Sequence, residues 1–408
     1  YKRQVYKIEG ERFLKQRNYT TMEPQIFSFT RNQKIVFILL MLIGVVAAVY
    51  GLVILPHERF WANLLLNTFY FLAIALAGTF FVSVHIVGQS GWQSSIERIP
   101  LAMGTFVPVT AIFMLVILIF GMHDIYHWTH DHLDEVLQGK TPYLNTGFFV
   151  ARMVVYFGGW IFLAYKLRQV MLQGDHSPEL SSFRKSHVWA ILFIVFFAIT
   201  NSTSSWDLLM SIDPHWYSTL YAWYIFSSLF VSGVAAIILI LIYLRSKGYM
   251  AHTNNEHLHD LGKYLFGISI LWMYLWFSQF MLIWYGNIPE ETTYFIQRVD
   301  DFNTLFYLNI GINFFIPFLV LLPRRSPRKA IIMVIASVIV IIGHWIDFYL
   351  VVMPGSIGDK SGIGFLEVGL TLGFTGMFLY VVFRSLSKAS LVPSNHPYFK
   401  ESLEYENL

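Results

Sequence analysis

The sequence predicts an all-α polytopic membrane protein with ten transmembrane helices, and three observations carry that prediction. Apolar residues make up 56% of the 408, charged residues 13%, and mean hydropathy is +0.54, outside the range of water-soluble globular chains. Runs of ~20 mostly apolar residues, enough to cross a hydrocarbon core, recur along the whole chain. The 28 Lys and Arg residues fall in alternate connecting segments, 23 on one side and five on the other. That asymmetry follows the positive-inside rule.

In order, residues 1–34 form a charged arm without the apolar core of a signal peptide. Spans follow at about 35–55, 63–87, 100–121, 147–167, 187–205, 217–244, 262–286, 303–322, 330–350 and 363–385, and 386–408 is a polar tail. The sparse side holds only Arg59, Lys140, Arg152, Arg298 and Lys360. Both termini are therefore expected in the cytoplasm of a bacterium, with the chain in the inner membrane and the opposite loops in the periplasm. The arm and tail are expected to be irregular, ordered against neighbours.

The net charge of +3 does not point to nucleic acid, because the basic residues are sorted by membrane side. Cysteine is absent, which excludes iron–sulfur clusters, covalent haem, thiolate metal sites and disulfides on this chain. No cofactor is expected to be bound by the chain itself, with a diffusible quinol the ligand left open.

An internal repeat runs through the spans. Trp61, Phe69, Phe71 and Gly78 match Trp216, Tyr224, Phe226 and Gly233 at identical spacing, and Arg98 and Gly121 are spaced as Lys263 and Gly286. LNTGFF at the fourth span resembles FNTLFY at the eighth, and Trp206–Asp207 has a counterpart in Trp345 and Asp347. Four helices separate each pair, so equivalent spans run in the same direction, the parallel kind of repeat. The expected organisation is two four-helix bundles, spans 2–5 (63–205) and 6–9 (217–350), joined by a connector at 206–216, with the first and tenth spans (35–62 and 351–385) peripheral.

Ionisable groups inside spans are costly and mark candidate sites. Asp207, His344, Asp347 and Glu367 lie in the outward half, with Gln279, Ser278 and Arg152 nearby; His85, His187 and Lys263 lie inward, and Asn309 and Asn313 near the middle. His344 and Asp347 are i, i+3 on one helix face, close enough to share a proton. A proton relay through His85, Asp207, His344, Asp347 and Glu367 is one reading. A quinol pocket at Trp206, Asp207, Asp213 and Gln279 is another, and polar glue between helices is the structural alternative to both.

Weaker signals come from the outer loops. His123, His127 and His130 have the spacing of one face of a short helix, yet no fixed ligand motif accompanies them, and no metal is expected. His85 and His187 could pair as haem ligands, on slender grounds. Glu290 and Glu291 read as a solvated loop rim.

The stretches WDLLMSIDPHWYSTLYAWYIF, FSQFMLIWYGNIPEET and KTPYLNTGFFVAR, together with ten spans, resemble the polysulfide-reductase/NrfD-like family of integral membrane subunits. Within it the chain is most similar to the shorter of the two members in bacterial alternative complex III, a quinol:cytochrome c oxidoreductase. The resemblance implies an iron–sulfur subunit, multihaem cytochrome c subunits and a second NrfD-like subunit as partners, along with lipids and a terminal oxidase. It implies an anchoring role with a proton half-path and no redox centre on this chain. A quinol-binding redox subunit and an independent ion or solute transporter are the alternatives.

Overall fold

A computed structural model describes residues 24–175, 180–358 and 362–406; Lys360 and most of the N-terminal arm lie outside these. Among the described residues ten helices are long and apolar enough to cross a membrane: α1 Arg31–Ile54, α2 His57–Val87, α3 Arg98–Phe120, α4 Thr146–Gly174, α5 Leu180–Leu208, α6 Tyr221–Ser246, α7 Asn255–Gly286, α8 Asn303–Leu321, α9 Ala330–Ile357 and α10 Phe365–Leu386. Among the described residues there is no strand, only an isolated bridge between Ile26 and Ser390.

Several ends differ from expectation because of local chemistry. α7 begins at Asn255 rather than near 262, because the Asn254 side chain accepts from the amides of Glu256 and His257, an N-cap. α9 runs past 350 to Ile357 with Pro354 inside it. The segment holding Glu290 and Glu291 is a helix, Pro289–Asp300, rather than a loop. Pro289 pre-sets its first turn, and both acids sit at its positive end.

The core sits on α2 and α6. In each, 83% of the most apolar window is buried, against 22% in α1. They cross where Gly233 meets Ala77, so closely that a Cβ on Gly233 would lie 2.1 Å from that of Ala77. Contacts recur in the order of the repeat: α2 packs on α3, α5 and α9, and α6 packs on α7, α9 and α5. The two sets of helices thus share one core rather than standing apart.

The terminal spans pair with each other. α1 lies on α10 through Gly44, Gly373, Gly369 and Ala47, and a Cβ on Gly44 would come 2.6 Å from the Gly373 Cα. Small residues let helix backbones approach where no hydrophobic force favours helix over lipid.

Connecting segments gather by charge class. At the terminal face, the Leu391 amide donates to Gln25 O (2.8 Å) and Ser402 Oγ to Trp92 O (2.5 Å). There too Arg328 grips Glu256 at 2.8 and 2.7 Å. The tail carries a short helix, Phe399–Leu403. At the opposite face, Lys140 Nζ donates to Pro214 O (2.6 Å), His215 meets Asp134 (2.5 Å), and Tyr126 donates to Leu208 O (3.0 Å).

Candidate functional site

Two buried aspartates that the sequence pattern matches to each other have different surroundings. Asp207, at the end of α5, is fully buried. Arg152 on α4 meets it edge to edge, Nε to Oδ2 at 2.7 Å and Nη2 to Oδ1 at 3.0 Å, and Tyr156 donates a third bond at 2.7 Å. The guanidinium lies over the Tyr143 and Phe148 rings at 4.0 and 4.4 Å. This is a closed, neutralised ion pair.

Asp347 on α9 is as deeply buried, but no Lys or Arg pairs with it among the described residues. Oδ1 accepts from Tyr224 (2.5 Å) and Asn309 (2.8 Å), and Oδ2 from Ser228 (2.8 Å) and Trp272 Nε1 (3.0 Å). Helices α6, α7 and α8 each contribute to the set. His344, one turn earlier, has Nδ1 3.8 Å from Oδ2, too far for a hydrogen bond. Neither of its nitrogens finds a hydrogen-bond partner among the described residues. The expected His344–Asp347 pair is therefore adjacent but not bonded.

A polar thread continues inward from Asp347. Asn313 Nδ2 donates to Asn309 Oδ1 at 2.5 Å. Asn313 sits in a π-helical turn, Gly311–Phe315, just before Pro317, whose missing N–H cannot bond the carbonyl four residues back. Gly343 on α9 makes room for it: a Cβ there would lie 2.3 Å from Asn313 Oδ1.

Toward the opposite face, a cavity of about 20 Å³ adjoins Asp347, lined also by Gln279, Tyr294, Arg298 and Phe306. That volume suits about one water. Above it Trp216, Tyr294 and Arg298 stack, Trp216 on Tyr294 at 3.9 Å and the Arg298 guanidinium over Tyr294 at 3.3 Å. Burial pushes the Tyr294 phenol up to about 12, so the ring stays neutral. Arg298 also donates to Leu350 O (2.9 Å) and reaches Asp213 at 3.4 Å. The Asp213 carboxylate in turn lies against Gly355, where a Cβ would sit 2.5 Å from Oδ1.

The remaining candidates are dispersed. Trp206 lines a separate crevice of about 470 Å³ at the opposite face, with Tyr143, Leu144, Met210 and Tyr217. Trp206, Asp207, Asp213 and Gln279 therefore do not line one pocket: Gln279 belongs to the Asp347 cavity, Asp207 to Arg152 and Asp213 to Arg298. Glu367 caps α10 through the Gly364 amide (2.8 Å) and accepts from Arg59 (2.9 Å) and Asn63 (2.9 Å), a bond set that ties α2 to α10. His85 meets Phe81 O (2.7 Å) and Tyr264 (3.1 Å) toward the terminal face. His187 Nδ1 likewise meets a backbone carbonyl, Phe183 O, at 3.1 Å.

The outer-loop histidines do not share one helical face. His123 lies in the turn Met122–Ile125, His127 opens the 3₁₀ turn His127–Thr129, and His130 Nε2 meets His123 O at 3.0 Å. Among the described residues no group of three or more His, Cys, Asp or Glu is placed to hold a metal ion.

Sequence reasoning missed Tyr224, Ser228 and Trp272 as the donors around Asp347, and Arg298 as a buried lock. Only Arg298 carried a signal, being one of five cations on the sparse side. Hydroxyls and an indole within apolar runs look like ordinary span residues. Compared with known proteins, the chain matches no family model, and no curated protein is similar to it at a significant level.

Proposed function

We propose that this chain is an integral membrane subunit of a respiratory quinol:cytochrome c oxidoreductase of the alternative complex III type, anchoring its partners and carrying a proton half-path centred on Asp347. The observation that carries the half-path is the environment of Asp347. Its four donors are all uncharged and come from three other helices, and a water-sized cavity adjoins it. Protonating a carboxylate held in an ion pair leaves its cation uncompensated, a cost that Asp207 would bear and Asp347 would not.

The path runs from Asp213 and Arg298 at the opposite face, through the Gln279 cavity to Asp347, and along Asn309 and Asn313. The His344 ring lies beside it, Nδ1 3.8 Å from Asp347 Oδ2. The partners of the reading, an iron–sulfur subunit, multihaem cytochromes c and a second NrfD-like subunit, would dock on the loop-rich opposite face. The count of basic residues supports placing both termini in the cytoplasm. The test is Asp347→Asn in the intact complex. Assembly with proton-coupled turnover slowed by ~10²-fold or more supports the reading; unchanged proton coupling sinks it.

A second reading, a quinol-binding subunit, draws on the 470 Å³ crevice beside Trp206, within the size range of small-ligand sites. A photoreactive quinol analogue that labels Trp206 or Tyr217 would favour it over the first.

A further inference from the structure

We infer that the terminal face holds a site for the phosphate of an anionic phospholipid, between the end of α4 and the segment that follows α10. A cavity of about 500 Å³ there is lined by Arg168, Gln169, Gln173, Lys388 and Ser394, with Tyr165 at its side. Its volume falls within the range of small-ligand sites.

The charge balance points to an anion. Asp175 also lines the cavity, but its Oδ1 is held by Arg98 Nη2 at 2.5 Å. Arg168 donates one bond, from Nη2 to Ser385 O at 3.2 Å, which fixes the guanidinium against the end of α10. Neither Arg168 nor Lys388 has a carboxylate partner among the described residues. A guanidinium held at one edge and an exposed ammonium, flanked by two carboxamides and a hydroxyl, together present the donors that a phosphodiester accepts.

The position points to lipid rather than free phosphate. The cavity lies at the face that collects most of the chain's basic residues, where pockets between helices bind acidic headgroups. Tyr165, three residues before Arg168 on the same helix, is 61% exposed, and Phe162 is 51% exposed. An apolar strip of α4 therefore runs from the cavity along the surface that faces acyl chains.

The experiment is native mass spectrometry of the full chain in detergent, titrated with phosphatidylglycerol, phosphatidylcholine or inorganic phosphate. The wild type is expected to retain one phosphatidylglycerol in preference to phosphatidylcholine. Arg168→Gln with Lys388→Gln should weaken that retention roughly tenfold or more. Lys388→Gln alone, at an exposed side chain, should give part of the loss and covers the case in which the double variant misfolds. Equal retention of both lipids, or retention unchanged in the variants, overturns the inference. Displacement of the bound lipid by millimolar phosphate would assign the site to a free anion instead.

Discussion

Arg152 and Asp207 form a two-pronged ion pair, 2.7 and 3.0 Å long, between α4 and α5, while Asp347, which the sequence pattern matches to Asp207, is held among the described residues by hydroxyl, indole and amide donors. One buried acid is thus a fixed brace, and the other has no Lys or Arg partner among the described residues. Both are buried, so the difference lies in what each would cost to disturb.

Removing one partner of the brace leaves a buried charge uncompensated. Arg152→Ala is expected to destabilise the protein by about 3–5 kcal/mol. Arg152→Lys should recover only part of this, because an ammonium cannot make the paired contact. Replacing both partners, Arg152→Met with Asp207→Leu, should restore most of the stability. Thermal unfolding in detergent across the three variants reads the order directly; a double variant as weak as Arg152→Ala would contradict it.

The donor set around Asp347 can be thinned without touching the acid. Trp272→Phe keeps the ring and removes the N–H that reaches Oδ2 at 3.0 Å. A loss of about 1 kcal/mol is expected for the one bond removed, Oδ2 keeping its bond from Ser228. In the complex proposed above the same variant should slow proton-coupled turnover, whereas a purely structural role for Asp347 predicts lower stability with turnover unchanged.

The α1–α10 seam has no space for a side chain. Gly373→Leu places a branched chain where the Gly44 Cα lies 2.7 Å from an added Cβ. Separation of α1 from the rest is the expected result, read as loss of a disulfide crosslink engineered across the seam. Gly267→Leu, at a position with nothing within 4 Å of an added Cβ, is the matched control and should change little.

Two buried groups couple the C-terminal tail to pH. Glu97 and His396 lie 3.6 Å apart, with Arg98, Asp175 and His187 around them. Burial pushes the Glu97 carboxyl up to about 7, opposed by Arg98, and pushes the His396 imidazole down to about 3, reinforced by Arg98 and His187. The raised Glu97 contributes stability that is full below its unfolded value of 4.5 and is lost as pH rises through about 7. The lowered His396 contributes stability that is full above 6.5 and is lost as pH falls through about 3. Their slopes oppose each other between 4.5 and 6.5, so tail docking should be level there and weaken outside, more on the acid side. A fluorophore on the tail, tested with a soluble quencher from about pH 3 to 8, should show that profile. Glu97→Gln should abolish the alkaline loss and keep the acid one.

The sequence by itself determined an all-helical chain with ten spans long and apolar enough to cross a membrane. That property is written locally, since a span needs only ~20 apolar residues. It also singled out Asp207 and Asp347, because a charge within an apolar run is conspicuous whatever surrounds it. Their different fates were decided by the tertiary structure. Whether an acid finds a guanidinium or an indole depends on residues 38 to 123 positions away in the chain for Asp347 and 51 to 55 for Asp207. Those partners meet only once helix packing has set their depth and rotation. The pairing of α1 with α10 has the same origin, since the glycines that permit it are ordinary in each span and meaningful only where two backbones touch.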